Sequence, residues 1–368
     1  MKIKAAVLRG VDQPFEIEEL ELAPPKENEV LVKTTASGIC HSDYSVAHGI
    51  LRCPFPIVLG HEGAGIVESV GPGVTDLKPG DKIIAALTPS CGNCTMCKEG
   101  KEFMCSGMGK LLTDCTQLDG TTRHKTASGE DVYTLCGVGS FGEYMVMPAG
   151  SAIKVPDDTP LDITCLIGCG VTTGTGAALN TANVQPGEAT AVIGCGGVGL
   201  SIIQGCRIAG STIIIAVDPM EEKRELALSL GATHAINPFE EDAAAKVKEL
   251  TGGLGVHYAF EALGRVETMA QTWEMIRPTG TCVIVGVASL DQSVKIPSAG
   301  LLAEYEIQGS CYGSSTPKKD IPRFVELYKS GELKLDEMIT QRIGLEDIDR
   351  AFEEMGRGEG ARSVIMYG

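Results

Sequence analysis

The chain has 368 residues, 43% of them hydrophobic and 5% aromatic, which is too long for one small core and suits two domains of a globular protein. With 48 acidic against 31 basic side chains the formal charge is −17, which opposes binding to nucleic acid or to an anionic membrane surface and leaves a small molecule as the expected partner. Charges interrupt the N-terminal segment before an apolar stretch can form, and the uncharged run at 163–187 is crowded with Thr, Gly and Asn; the sequence therefore predicts no secretion signal, no membrane span and a cytoplasmic location.

Residues 1–36 carry strand-like runs at 5–8, 15–20 and 29–34, divided by Gly10, Pro14 and Pro24-Pro25, and predict an antiparallel sheet. Then come Gly38-Ile39-Cys40-His41-Ser42-Asp43 and Gly60-His61-Glu62-Gly63-Ala64-Gly65. A strand, IVESVG, follows and is closed by turn signals at Gly71-Pro72-Gly73 and Pro79-Gly80-Asp81. Short strands between glycine turns predict a compact β-rich domain.

Fourteen cysteines make a poor disulfide framework in a reducing compartment, so some are expected to bind metal. Cys91, Cys94, Cys97 and Cys105 lie within fifteen positions at C-x-x-C-x-x-C spacing, the fourth after seven intervening residues. Four thiolates close a tetrahedron around Zn2+ and leave no open position, which predicts a structural site. A CxxC redox motif is the alternative, but no thioredoxin-like βαβ pattern surrounds it.

Residues 106–140 are polar and turn-rich and read as a long excursion with little core. A strand in GEYMVMPAG leads to Cys165-Leu166-Ile167-Gly168-Cys169-Gly170, and a helix is predicted over 172–183. Residues 189–218 then read strand, glycine turn (Gly194, Gly196, Gly197, Gly199), helix, strand and acid, with Asp218 nineteen positions after Gly199. Glycines are needed there because a pyrophosphate must lie against bare backbone at a helix N-terminus, where free amides and the helix dipole favour negative charge. A carboxylate at the end of the second strand bonds both ribose hydroxyls and repels a 2′-phosphate, which predicts NAD over NADP. Helical and apolar strand segments alternate beyond Asp218 (EEKRELALSLG, HAINP, AAAKVKEL, VHYAFEALG, VETMAQTWEMI, GTCVIVGV) and predict an α/β doubly wound parallel sheet. Two helix patterns and a last strand, RSVIMYG, lie beyond Tyr312 and are expected to fold back onto the first domain.

The motifs GICHSD, GHEGAG, the four-cysteine lobe, LIGCGVTTGTG and VIGCGGVGLS, in that order, make the whole chain resemble the zinc-dependent medium-chain alcohol dehydrogenases of the longer, dimeric type. The resemblance implies a β-rich GroES-like catalytic domain over 1–171 with its structural zinc lobe at about 91–105. It implies an NAD-binding Rossmann domain over 172–311 and a return to the catalytic domain over 312–368. It also implies that Cys40, His61 and Cys169 ligate a catalytic zinc, for two zincs per chain, and two thiolates with an imidazole are a sensible open set. Cys169 is more than a hundred residues from His61, so this link comes from the family alone. Asp43 is implied to orient His61, and Glu62 to lie behind the metal, with a buried structural carboxylate as the other reading. Ser42 resembles the family's relay hydroxyl and could equally cap a helix.

Where animal liver members place a histidine three residues after the relay hydroxyl, this chain has Ser45; His48 could substitute, or be a plain surface residue. His41 stands where arginine often meets the pyrophosphate, which predicts NAD binding that weakens as the ring loses charge across about pH 5.5–8. Further cofactor contacts implied by position are Thr173, Val198, Lys223 and Arg362, although Lys223 also suits a charged helix start and Arg362 a solvated chain end. The implied pocket residues Leu51, Leu87, Phe141 and Val287 are all apolar, as core residues also would be, and suit alkyl or aryl primary alcohols and their aldehydes. A thiol-linked formaldehyde dehydrogenase ranks second, since Arg52 is the only charge near Leu51. A non-catalytic NAD-binding structural protein and a zinc-free quinone reductase relative are the other readings, opposed by the complete ligand set and the cysteine lobe. The other eight cysteines are expected to be mostly buried and inert. A homodimer is expected, with a tetramer as the alternative.

Overall fold

Alternating apolar side chains at the N-terminus place Ile3, Ala5 and Val7 inside, and Lys2–Leu8 pairs antiparallel with Phe15–Leu22 from Lys2 opposite Glu21 to Leu8 opposite Phe15. With Ile57–Val58, His124–Lys125 and Asp131–Thr134 this pair closes a small barrel in the computed structural model, which describes residues 1–289 and 291–368. A seven-stranded sheet is built around Glu29–Gly38, which pairs with Glu62–Val70, Tyr144–Pro148 and Arg362–Met366. No helix among the described residues is long and apolar enough to cross a membrane.

The chain divides into two units. The first comprises Met1–Cys169, Thr316–Ser330 and Ile339–Gly368, the second Gly170–Ser315 and Gly331–Met338. The breaks thus fall at 169/170 and 315/316 rather than at 171/172 and 311/312. The expected return over 312–368 is also interrupted, because residues 331–338 belong to the second unit. Gln204 explains this: its Nε2 donates to the Lys334 carbonyl (3.0 Å) and its Oε1 accepts from the Lys334 amide (2.7 Å), while Arg207 donates to the Glu332 carbonyl.

Residues 106–140 correct the expectation of an excursion with little core. Leu111, Cys115, Val132, Leu135 and Val138 are buried, and the segment supplies two strands of the barrel. Two of its polar residues are turned inward with partners: Gln117 Nε2 donates to the carbonyls of Gly137 and Val146, and Arg123 forms a buried two-point pair with Glu29.

His124, beside Arg123, is fully buried and neither ring nitrogen has a hydrogen-bond partner. Burial alone pushes its pKa down to about 4. The unfolded ring titrates near 6.5, so the fold is favoured above that value and loses about 3 kcal/mol as pH falls from 6.5 to 4. Urea unfolding is expected to show the wild-type midpoint falling more steeply over this window than that of His124→Leu; parallel profiles would remove His124 from the acid sensitivity.

In the second unit six parallel strands, Ala189–Ile193, Ile213–Val217, His234–Ile236, Val256–Glu261, Ile276–Ile284 and Glu306–Gly309, stand in the spatial order third, second, first, fourth, fifth, sixth. This is a doubly wound arrangement with its topological switch beside the first strand. The helix predicted over 172–183 is instead Gly170–Gly176 followed by a π-helical turn, Ala177–Thr181.

Candidate metal centre and nucleotide turn

Cys40, His61 and Cys169 all lie in the first unit, are buried, and bring their donor atoms within 4.8 Å of one another. Cys40 caps the helix His41–Ala47, and Asp43 in its first turn reaches back: Oδ2 accepts from the Cys40 amide (3.1 Å), and Oδ1 from the Gly60 amide (2.8 Å). The same Oδ1 accepts from His61 Nδ1 at 3.1 Å, so that in the neutral ring the proton sits on Nδ1 and the lone pair on Nε2. That Nε2 is buried and has no hydrogen-bond partner. Cys169 follows Gly168, where a Cβ would approach the Ala85 carbonyl oxygen to 2.7 Å, so glycine lets the loop reach the other two donors.

The electrostatics favour a cation. The hydrogen bond from Cys169, with positive charge on His61 and Arg362, holds the Cys40 thiol well below its ordinary range despite burial. Burial opposes a charged His61, yet Asp43 and the thiolates draw positive charge to the ring. Two thiols, one oriented imidazole and an orphaned buried nitrogen fit zinc, with one of four positions left for a ligand from outside.

Cys91, Cys94, Cys97 and Cys105 form the second cluster, again with donors within 4.8 Å. Backbone amides point at the sulfurs: Cys94 N–H donates to Cys91 Sγ (3.4 Å) and Cys97 N–H to Cys94 Sγ (3.5 Å). The amides of Ser106 and Cys97 push the Cys94 thiol down to about 5, while burial pushes its neighbour Cys97 up to about 12. All four cysteines fit a closed tetrahedral site.

In the second unit the glycine turn joins Ala189–Ile193 to the helix Gly197–Ile208. Gly194 has φ +91°, a left-handed conformation that favours glycine, and a Cβ at Gly199 would collide with the Gly194 carbonyl oxygen. Gly196, Gly197 and Val198 are partly exposed at the helix start. Asp218 is held at the end of its strand, accepting from the Cys195 amide at 2.8 Å and the Met220 amide at 2.9 Å. These features fit a pyrophosphate and a ribose. Thr173 and Lys223 are half-buried, in the helices Gly170–Gly176 and Glu221–Leu230.

Arg362 and Phe141 sit differently from their sequence-based roles. Arg362 is neither a solvated end residue nor free for a cofactor here: its guanidinium is buried, paired with the fully buried Glu62, and donates to the Ile39 carbonyl at 3.2 Å. Sequence reading missed this pair because its members are 300 positions apart. Ser42 Oγ lies 3.8 Å from Cys40 Sγ. His48 is exposed, packs its ring 4.1 Å from that of Tyr44, and donates to Asp12 at 2.6 Å; Asp12 was also unforeseen. His41 is exposed, with its ring 5.2 Å from Tyr44 on the other side. Leu51 and Leu87 are half-buried, but Phe141 is fully buried and meets Phe15 and Phe352 edge-on, which makes it a core residue, and Val287 is 62% exposed in the second unit.

The zinc-binding dehydrogenase profile matches residues 197–330, and that of the alcohol dehydrogenase GroES-like domain matches residues 26–157. An NDMA-dependent alcohol dehydrogenase of Amycolatopsis methanolica is 42% identical, with all of this chain and 99% of that one covered. The chain belongs to the zinc-dependent medium-chain alcohol dehydrogenases. Alcohol dehydrogenase B of Mycobacterium tuberculosis is 39% identical over the same shares. Among solved structures, benzyl alcohol dehydrogenase of Acinetobacter calcoaceticus matches with TM-score 0.95 at 34% identity over the full length of both chains. The β-rich unit is the GroES-like domain of this family and the doubly wound unit its Rossmann domain. As a family member the protein is an oxidoreductase.

Proposed function

We propose that this protein oxidises a primary alcohol reversibly to its aldehyde by hydride transfer to NAD, with two zincs per chain, one catalytic and one structural. The supporting observation is the unpartnered Nε2 of His61, buried beside the thiols of Cys40 and Cys169 and held by Asp43. Zinc held by that trio supplies a Lewis acid that makes the alcohol hydroxyl acidic near neutral pH, and NAD supplies the hydride acceptor. Asp43 keeps the imidazole in register. Ser42 Oγ, beside Cys40, is the group we assign to accept the alcohol proton as it releases its own toward solvent, and exposed His48, paired with Asp12, is the candidate outer acceptor. Gly194 to Gly199 leave room for the pyrophosphate, and Asp218 selects a ribose without a 2′-phosphate. Leu51 and Leu87 suit alkyl or aryl alcohols, and the 34% identity to a benzyl alcohol dehydrogenase favours the aryl class.

A second reading, favoured by the NDMA-dependent relative, is that turnover requires NDMA. Assays over short, long and aromatic alcohols with NAD alone, and again with NDMA added, separate the two. Steady NADH formation with NAD alone supports the first; turnover only with NDMA supports the second; oxidation of no alcohol under either condition contradicts both.

We further propose a homodimer of chains. The strand Glu306–Gly309 ends the parallel sheet with every residue exposed, and Leu301, Leu302 and Ile307 around it are 58%, 92% and 47% exposed. An open apolar sheet edge invites strand pairing with a second copy. Light scattering is expected to give twice 38.6 kDa for the wild type and a shift toward the single-chain mass for Leu302→Asp combined with Ile307→Asp. An unchanged mass would place the contact elsewhere.

A further inference from the structure

Three cysteines outside both metal clusters, Cys53, Cys115 and Cys136, gather in the first unit. Cys53 is partly exposed on an irregular segment between the helix His41–Ala47 and the strand Ile57–Val58. Cys115 is buried and follows the π-helical turn Gly109–Thr113. Both sulfurs converge on one acceptor, the Leu112 carbonyl oxygen, at 3.9 Å from Cys53 Sγ and 3.6 Å from Cys115 Sγ. Cys115 reaches that place by adopting a left-handed backbone, φ 51°, which a side chain normally resists and which the Thr134 amide pins by donating to its carbonyl at 3.0 Å. Packing alone does not call for two thiols turned to one carbonyl from segments sixty residues apart.

We propose that Cys53 and Cys115 are a modification site, a dithiol that closes to a disulfide when the protein meets a peroxide. Cys53 is the attacking member because it alone of the pair reaches solvent, and the hydrogen bond from Cys115 holds its thiol below the ordinary range. Its thiolate attacks one oxygen of hydrogen peroxide; the O–O bond breaks, water leaves after protonation, and Cys53 becomes a sulfenic acid. Cys115 Sγ then attacks that sulfur, losing its proton as the S–O bond breaks and a second water departs. Two thiols are oxidised to one disulfide, and one peroxide is reduced to two waters. Cys136 stays a thiol, since burial pushes it up to about 12.

The test treats the zinc-loaded full-length protein with hydrogen peroxide, alkylates it under denaturing conditions and maps peptides without reduction. The expected product is the peptide pair joined through Cys53 and Cys115, lighter than the two free peptides by two hydrogens. Alkylation of both residues falls together by at least about fivefold and is restored by dithiothreitol. In Cys53→Ser the joined pair disappears and Cys115 stays alkylatable. A disulfide to Cys136, a sulfinic acid on Cys53 with Cys115 still free, or both thiols unchanged while the lobe cysteines oxidise, overturns the proposal. The wild-type map decides even where a variant fails to fold.

Discussion

His61→Ala is expected to lower alcohol turnover by about a thousandfold or more while the protein stays folded. Among the described residues the imidazole is one of three donors in the proposed catalytic-zinc cluster, and its loss leaves two thiols whose mutual repulsion as thiolates no third ligand relieves. The several kcal/mol that a Lewis acid contributes to the developing charge correspond to about three or more powers of ten in rate. The neighbourhood tolerates the change in its fold, because Asp43 remains held by the Cys40 and Gly60 amides. Turnover of purified His61→Ala against wild type, with circular dichroism as the control for folding, is the check. A loss below tenfold would show that the ring does not serve the reaction.

Arg362→Met is expected to destabilise the first unit by about 3–5 kcal/mol, the usual effect of removing one member of a buried ion pair. Glu62 is fully buried and Arg362 is 5% exposed, so the carboxylate left behind cannot be solvated. A Cβ at Gly38 would collide with Glu62 Oε2, and that crowding limits any rearrangement of the carboxylate. The double change Glu62→Gln with Arg362→Met removes the stranded charge and is expected to recover most of the loss. Urea unfolding of both variants decides: equal destabilisation of single and double would mean that the guanidinium acts by packing alone.

The clustering of Cys91, Cys94, Cys97 and Cys105 and the glycine turn were legible in the sequence because both are local. Four cysteines within fifteen positions, or glycines between a strand and a helix, carry their own geometry. The gathering of Cys40, His61 and Cys169 was half legible. Asp43 and Cys40 share one helix start, but nothing local joins Cys169 to them or Arg362 to Glu62, since tertiary folding alone brings such distant positions together. Residues 106–140 misled for a different reason: barrel strands of two and four residues are too short to show a period, and inward-facing Arg123, His124 and Gln117 look solvent-exposed in composition. Phe141 shows the limit of transferring pocket positions, because an apolar residue reads alike in a pocket wall and in a core.

The account depends on Cys40, His61 and Cys169 holding one metal ion apart from the four-cysteine lobe. Elemental analysis of zinc per chain in wild type and in Cys169→Ser tests this most directly. Two zincs in the wild type and one in the variant, with alcohol oxidation lost, is the expected result. Equal zinc in both proteins with turnover retained in the variant would contradict it.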